Sequence, residues 1–209
     1  MGLDVLDMLR VLPAAVIGLT VHEFSHAFAA YKLGDFTAKN EGRLTLNPLK
    51  HIDWLGLFLI AVAGFGWAKP VTFNPDNLRN KHRDEILIAI AGPISNFILA
   101  VFFFVIARVL YTVNGVSIDL VQLIVTWGII NFSLFVFNLI PIPPLDGSHL
   151  YLTYLKDINP KLMMDMYKWG MFVLLIIILA ENNLNINILH ISNLVGGITQ
   201  FFFDLLKFR

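Results

Sequence analysis

A short run near the start of the chain has the residue types and the spacing of a metal-dependent hydrolase. His22-Glu23-Phe24-Ser25-His26 follows the HExxH pattern, in which two histidines four residues apart lie about 40° apart around a helix. Both imidazoles therefore face the same metal ion. Glu23 is offset by one residue, where its carboxylate can accept a proton from water without being a ligand. The chemistry indicated is metal-assisted hydrolysis.

A catalytic zinc site needs a third protein ligand and an open position for water. The segment Asn138-Leu-Ile-Pro-Ile-Pro-Pro-Leu-Asp146-Gly147 offers the carboxylate of Asp146, held by prolines and followed by a glycine that permits an unusual backbone conformation. His149 is a rival third ligand if this segment is helical. Two plainer interpretations stay open: Asp146 could cap the next helix, and the HExxH residues could form a polar seam between helices.

The composition places these residues in a membrane. The chain has 209 residues, of which 57% are hydrophobic and 14% charged, whereas soluble domains have about 45–50% and about 25%. A mean hydropathy of +0.71 with clustered apolar runs does not fit one soluble core. The net charge is zero, so no overall field attracts nucleic acid. The chain has no cysteine, which leaves His, Asp and Glu as metal ligands.

Long apolar runs predict an all-α polytopic membrane protein with about five transmembrane helices. The predicted spans cover residues 11–31, 85–110, 120–140, 162–180 and 184–206. Residues 54–66 are apolar but too few to span, which predicts a small re-entrant hairpin or loop after the first span. The loop before them has a brief strand-like alternation at residues 43–46. We find no repeat or linker and expect a single membrane-embedded domain over residues 1–209.

The basic residues predict the orientation of the chain. Eight of the 15 lie between the first and second spans, so the positive-inside bias places the loops after the first and third spans in the cytoplasm. The end of the first span, which carries His22 and His26, then emerges on the same side as Asp146. The N-terminus lies outside, and its acidic start without a small-residue cleavage site indicates an uncleaved first span.

Taken together, the motifs resemble those of the site-2 protease family of intramembrane zinc metalloproteases. The pair that carries the resemblance is HExxH in the first span and the NxxPxPPxDG segment at residues 138–147. Further stretches resemble the family at residues 42–48, 51–53, 66–71 and 92–96. The likeness covers about residues 15–155. The chain resembles a minimal member without a PDZ-like or nucleotide-sensing domain, and Trp54 stands where a proline is expected.

The resemblance implies one Zn²⁺ per chain, bound by His22, His26 and Asp146, with Glu23 as the general base. It implies a peptidase domain with a three-helix core at residues 9–155 and C-terminal helices at residues 160–209. The implied activity is hydrolysis of peptide bonds in transmembrane or membrane-proximal substrates, as in regulated intramembrane proteolysis. The implied setting is the cell membrane of a bacterium or archaeon, with the active site toward the cytoplasm. The expected partners are a transmembrane protein or peptide and the lipid bilayer, and the oligomeric state stays open.

Two asparagines are further candidates for the site. Asn96, inside the second span, donates to the scissile carbonyl or its oxyanion in the role that the resemblance suggests. Its plainer interpretation is an interhelical hydrogen bond beside a close glycine contact. Asn138 is either an amide that supports a ligand or touches substrate, or a simple cap at the end of the third span.

Two other functions use the same metal ligands. One is a metal-handling membrane protein such as a transporter or sensor, and the other is a protease-like scaffold without activity. Glu23 argues against the first, because hydrolysis requires a base beside the metal and transport does not. The intact HExxH motif and Asp146 argue against the second. A helical substrate must also unwind before cleavage, and residues 43–46 could pair with the unwound stretch by strand addition.

Overall fold

The computed structural model describes residues 5–63, 66–184 and 191–206. Within these ranges the chain is helical, and the β-type pairing is a single antiparallel bridge between Ile52 and Ala68. The helices are α1 (Val5–Leu33), α2 (Thr37–Asn40), α3 (Trp54–Ala63), α4 (Lys81–Thr112), α5 (Ile118–Asn138), α6 (His149–Ile158), α7 (Pro160–Leu184) and α8 (Ile191–Leu206). The all-α class predicted from the apolar runs is confirmed.

Four of the described helices are long and apolar enough to cross a membrane. They are α1 from Met8, α4, α5 and α7 up to Ala180, and they match the first four predicted spans. The prediction of a fifth span at 184–206 is not settled, because residues 185–190 lie outside the described residues. Its described part, α8, has 16 residues.

Helix α4 begins four residues before the predicted span because its first turn is capped. The Asn80 side chain accepts from the backbone N–H of Arg83 at 3.3 Å, and the Asp84 carboxylate accepts from the N–H of Asn80 at 2.9 Å. This reciprocal cap satisfies amides that the start of a helix leaves without partners. It fixes the polar end of α4 on the side where α1 ends.

The core is formed by α1, α4 and α5, with α4 packed against the other two. Small residues lie where these helices cross: a β-carbon on Gly18 would lie 2.7 Å from Oδ1 of Asn131, and one on Gly128 would lie 2.8 Å from the Phe104 ring. Such residues allow helix backbones to approach closely in a membrane. The approach also lets polar side chains of one helix reach those of the next.

The chain turns back on itself at the segment that the sequence predicts to be re-entrant. Helix α3 begins at Trp54, and after residues 64–65, which lie outside the described residues, the chain is back beside its first turn. A β-carbon on Gly66 would lie 2.0 Å from the carbonyl oxygen of Gly56. Only a pair of glycines permits this contact, so the chain turns back within a few residues.

Residues 43–46, whose strand-like alternation suggested pairing with a substrate, do not form a strand. The N–H of Thr45 donates to the carbonyl of Arg43 at 2.9 Å, which closes a tight turn. The carbonyl of Thr45 accepts from Nε2 of His51 at 2.7 Å, and the guanidinium of Arg43 donates to the carbonyl of Lys69. Local hydrogen bonds therefore occupy this segment, and it offers no extended edge for strand addition.

Candidate metal centre and active site

Three side chains from distant parts of the chain converge inside the helical core. His22 and His26 lie one turn apart on α1, and Asp146 opens the short turn between α5 and α6. Nε2 of His22 lies 3.0 Å from Nε2 of His26 and 3.0 Å from Oδ2 of Asp146, and the third side of this triangle is 3.4 Å. Among the described residues these three form the group whose ligand atoms are close enough to hold one metal ion.

The protonation of the two imidazoles makes this triangle a cation site. Nδ1 of His22 lies 2.6 Å from Oδ1 of Asn96, and Nδ1 of His26 lies 2.7 Å from the carbonyl oxygen of Ile88. Both partners are acceptors, so each neutral ring carries its hydrogen on Nδ1 and presents a lone pair at Nε2. Oδ2 of Asp146 is buried and accepts no hydrogen bond. Three lone-pair atoms that face one another are stable only with a cation between them.

The dimensions of the triangle fit zinc. Ligands arranged as a tetrahedron about 2.0–2.1 Å from zinc lie about 3.3 Å from one another. Two imidazole nitrogens and one carboxylate oxygen also form a donor set that zinc accepts in hydrolytic sites, with a fourth position left open. The residues present therefore fit the metal that the sequence motif predicts.

The Asp146 side chain is in its ionised form. Burial by itself would raise the pKa of this carboxyl, but the neighbouring imidazoles of His26 and His22, when protonated, outweigh burial and hold the pKa below its ordinary range. A carboxylate, not a carboxylic acid, thus faces the two nitrogens at neutral pH.

Asn96 supports a candidate ligand and has no hydrogen left for an oxyanion. It is fully buried, and its two amide hydrogens go to the carbonyl of Gly18 at 3.1 Å and to Oδ1 of Asn131 at 3.2 Å. Its Oδ1 accepts from His22. Asn96 therefore makes interhelical hydrogen bonds, which is the plainer of its two predicted roles.

Asn131 extends this arrangement and was missed from the sequence. It is fully buried on α5 and donates from Nδ2 to the carbonyl of Trp127 at 2.9 Å. Asn96 and Asn131 thus join α4 to α5 directly behind His22. A signal was present, because a polar amide in the middle of an apolar span needs an interior partner.

Gly92 explains how α4 reaches the imidazoles. A β-carbon at this position would lie 2.4 Å from Nε2 of His26 and 2.7 Å from Cε1 of His22. Any side chain here would overlap the rings, so α4 packs directly on them. The same turn of α4 then presents Asn96 to His22.

Gly147 is required for space and not for an unusual backbone conformation. Its φ is not positive, which corrects the expectation from the sequence. A β-carbon would lie 2.2 Å from the carbonyl oxygen of Leu139, because the chain after α5 folds back on itself. The turn that carries Asp146 is therefore compact. Helix α6, which follows this turn, is tied to α4, because Glu85 accepts from Thr153 at 2.8 Å and is paired with Lys156.

Glu23 lies beside the triangle but is not part of it. Its side chain is 7% exposed, and Oε2 accepts from the backbone N–H of Val71 at 2.8 Å. The neighbouring HExxH histidines face the metal-binding position, and Glu23 faces the cavity next to it. This is the relative placement that the motif predicts for a base that is not a ligand.

A cavity of about 390 Å³ opens next to these residues. Its polar end contains the two imidazoles, Glu23 and Asp146, and the remaining wall is mostly apolar, with Leu19, Val71, Phe73, Leu134, Phe137 and Leu174 among its residues. Asn138 and His149 also line it. A cavity with one polar end and apolar walls suits a hydrophobic segment whose backbone must reach the polar end.

The two remaining candidates take different positions in this cavity. His149 lies outside the metal-binding triangle, and its Nε2 is 3.4 Å from the hydroxyl of Tyr167. Burial lowers the pKa of His149, which keeps the ring neutral. Asn138 donates from Nδ2 to the carbonyl of Leu134 at 3.0 Å, one turn earlier in α5. Its side chain lines the cavity rather than capping a helix beyond it.

Comparisons with known proteins relate the chain to zinc metalloproteases. A profile of peptidase family M50 matches residues 110–180. "Putative zinc metalloprotease YwhC" of Bacillus subtilis (strain 168) is 44% identical over 150 residues, which are 69% of this chain and 67% of that protein. "Putative zinc metalloprotease Rip2" of Mycolicibacterium smegmatis is 28% identical over 180 residues, or 84% of this chain and 68% of the relative. The protein of that name from Mycobacterium tuberculosis H37Rv is 25% identical over 200 residues, or 93% and 73%. No solved structure matches the chain.

The spanning helices, the His-His-Asp centre and these relatives together define a multi-pass membrane zinc metalloprotease. The chain belongs to peptidase family M50, the site-2 protease family. Its cofactor is Zn²⁺ and its surroundings are a lipid bilayer, as for the family as a whole.

Proposed function

We propose that this protein cleaves peptide bonds of transmembrane or membrane-proximal substrates, with zinc held by His22, His26 and Asp146 and with Glu23 as the general base. The observation that carries the proposal is the convergence of three lone-pair atoms at 3.0–3.4 Å from one another, next to a buried carboxylate that is not among them. A metal-handling site needs the three ligands alone. Hydrolysis also needs the fourth group.

The residues of the chain divide the chemistry between them. Zinc bound in such a site acidifies water and polarises a peptide carbonyl. Glu23 accepts the proton from the attacking water and then gives it to the nitrogen of the departing amine. The amide of Val71 holds one oxygen of that carboxylate, and the apolar cavity wall excludes bulk water. Asn96 and Ile88 hold the imidazoles in the tautomer that leaves Nε2 free.

The depth of the site supports a substrate within the membrane. His26 lies seven residues before the end of α1 at Leu33, which is about 10 Å along the helix axis, and His22 lies about 16 Å from that end. The hydrocarbon core is about 30 Å thick. The scissile bond of a substrate that reaches this depth belongs to a segment that lies in or next to the bilayer.

We place the active site toward the cytoplasm. The ends of α1 and α4 that lie beside it are joined by residues 34–80, which carry five Lys and Arg residues, and such basic loops stay on the cytoplasmic side. Residues 9–155 form the catalytic core of a single peptidase domain. In the C-terminal part, residues 160–209, helix α7 covers one side of the cavity through Met171 and Leu174. The bacterial relatives support a prokaryotic source.

Asn138 is the residue we assign to substrate. Its Nδ2 is used within α5, whereas its side chain lines the cavity one turn from the Pro-rich segment that leads to Asp146. The carbonyl oxygen of the side chain can accept from a backbone N–H of an unwound substrate. Such a contact recognises backbone and demands no particular sequence.

The test is cleavage of a single-span model substrate by the purified protein in detergent, with zinc content measured in each sample. We expect the wild type to cut the substrate, the chelated protein to lose both zinc and activity, and Glu23→Gln to keep zinc without activity. Zinc binding without cleavage of any substrate in a varied panel would favour a metal-handling function. Loss of zinc from Glu23→Gln would show that Glu23 is a ligand and not the base.

A further inference from the structure

An extended segment lies across the cavity and touches the proposed base. We name residues 66–77 the strap. It contains six residues that line the cavity: Gly66, Trp67, Ala68, Pro70, Val71 and Phe73. Its central contact is the N–H of Val71, which donates to Oε2 of Glu23 at 2.8 Å. The strap is thus a wall of the cavity and a hydrogen-bond partner of the base at the same time.

The N-terminal part of the strap is held to the loop that follows α2. The N–H of Lys69 donates to the carbonyl of His51 at 2.8 Å, and the carbonyl of Lys69 accepts from the guanidinium of Arg43. Arg43 and His51 are both buried. These bonds fix residue 69, two positions before Val71.

The C-terminal end of the strap is held by Asp35. This residue directly follows α1 and its turn, and it is 0% exposed. Oδ2 accepts from the N–H of Asn74 at 2.9 Å. Oδ1 accepts from Nδ2 of Asn77 at 2.7 Å, and also from the hydroxyl and the N–H of Thr37 at 2.6 and 3.1 Å. One carboxylate therefore joins the end of α1 to the strap.

The hydrogen bonds of Asp35 are strong because the carboxylate is charged. Burial alone would raise the pKa of Asp35, but the four donated hydrogens outweigh it and the pKa is lowered. Hydrogen bonds to a charged acceptor are about twice as strong as neutral ones. Oδ2 accepts from the Asn74 N–H, so loss of that bond would leave a buried, charged oxygen without this partner.

We propose that Asp35 is a positioning residue for the catalytic base: it anchors the strap on the end of α1, so that the Val71 amide stays on Glu23. The proposal rests on the assignment of Glu23 as the base. Glu23 lies on α1 and Asp35 lies just after the end of α1, and the strap contacts both residues. The strap therefore links the position of the end of α1 to the position of the base.

Asp35→Asn removes the bond between this residue and the strap backbone at Asn74 and keeps its other hydrogen bonds. The remaining carbonyl oxygen of the asparagine can face the three donors at Oδ1, so its NH₂ group then faces the N–H of Asn74. Two donors in contact repel, and the bond to the strap backbone is lost. Thr37→Val is the matched control, because it removes the hydroxyl that donates to Oδ1 and leaves the bond between the Asn74 N–H and Oδ2 in place.

The experiment measures three properties of the full-length protein in detergent: zinc per chain, kcat and KM on a single-span substrate, and the mobility of the strap. The chain has no cysteine, so Thr72→Cys at an exposed strap position can carry a single spin label. For Asp35→Asn we expect a mobile label, unchanged zinc, and a kcat lower by about 10- to 100-fold, as for a small misplacement of a reacting group. Thr37→Val should resemble the wild type in all three.

The outcomes separate the two proposals. A mobile label with wild-type kcat, or a lost zinc ion, would overturn the positioning role of Asp35, whereas a wild type that cuts no substrate would overturn the proposed function itself. If Asp35→Asn does not fold, Asn77→Ala removes a single strap donor and should give a smaller fall in kcat with unchanged zinc. An Asn77→Ala variant with a mobile label and full activity would also overturn the proposal.

Discussion

Oδ1 of Asn96 lies 2.6 Å from Nδ1 of His22, across the contact between α4 and α1. This bond decides which nitrogen of His22 carries the hydrogen, and so which nitrogen is available to a metal. Groups that orient a metal-binding histidine in this way commonly change metal affinity by about 10- to 100-fold when they are removed.

Asn96→Leu should therefore weaken zinc binding by about 10- to 100-fold while the protein stays folded. Leucine has a similar volume, but it leaves the Nδ1–H of His22 and Oδ1 of Asn131 without their partner. Zinc competition with a chromophoric chelator measures the change. Asn40→Ala, at an exposed position at the end of α2, is the control and should bind zinc as the wild type does. Unchanged affinity in Asn96→Leu would contradict the orienting role.

Gly92→Ala should abolish zinc binding, because its methyl group would lie 2.4–2.7 Å from the rings of His26 and His22. Real contacts of a β-carbon are longer than this, so α4 must move away or the rings must rotate. Zinc content of the purified variant is the measurement. Gly196→Ala is the matched control: Gly196 lies in α8 with no atom near its absent β-carbon, and alanine in a helix there should stabilise by about 0.5–1 kcal/mol.

The chemistry of the centre could be predicted from the sequence because it depends on local spacing. His22, Glu23 and His26 lie within one stretch of helix, and helix geometry alone separates the two candidate ligands from the candidate base. The spans followed from apolar runs, and the proposed side of the membrane follows from basic loops; both are one-dimensional patterns. Asp146 was a candidate because the ends of the first and third spans share a predicted side and because the Pro-rich segment resembles that of the family.

The supporting contacts could not be predicted, because they depend on how the helices are rotated against one another. Asn131 faces Asn96 only in the observed rotation of α5, and an oxyanion role for Asn96 was equally compatible with the sequence. The same limit explains Gly147, where a contact with the Leu139 carbonyl decides the residue. Irregular segments are harder still: nothing in the pattern of residues 66–77 indicates that a backbone amide reaches Glu23.

Lys156→Met should destabilise the protein by separating α6 from α4. Glu85 is buried, and its partners are Lys156 and the hydroxyl of Thr153. Breaking a fully buried pair costs about 3–5 kcal/mol, and we expect about 1–3 kcal/mol here because the Lys156 side chain is 25% exposed. Thermal unfolding in detergent measures the effect.

The double variant Glu85→Gln with Lys156→Met provides the control for this pair. It removes the unpaired charge that the single variant leaves, so it should recover part of the lost stability. Since α6 directly follows the turn that carries Asp146, zinc affinity should fall and recover in parallel with stability. A double variant less stable than the single one would show that Glu85 acts through some other contact.

The stability of the loop beside the strap should depend on pH through His51. This ring is 1% exposed, and burial, with a smaller contribution from Arg43, lowers its pKa below the ordinary value of 6.5. The unfolded chain then binds the proton more readily than the folded one, so the contribution to stability is complete above about pH 6.5 and is lost as the pH falls toward the lower folded value. His51→Gln removes this group but can still donate to the carbonyl of Thr45. We therefore expect Tm to fall more steeply between pH 7 and pH 5 (about the range in which histidine titrates) for the wild type than for His51→Gln. Parallel curves would show that folding does not lower the pKa of the imidazole.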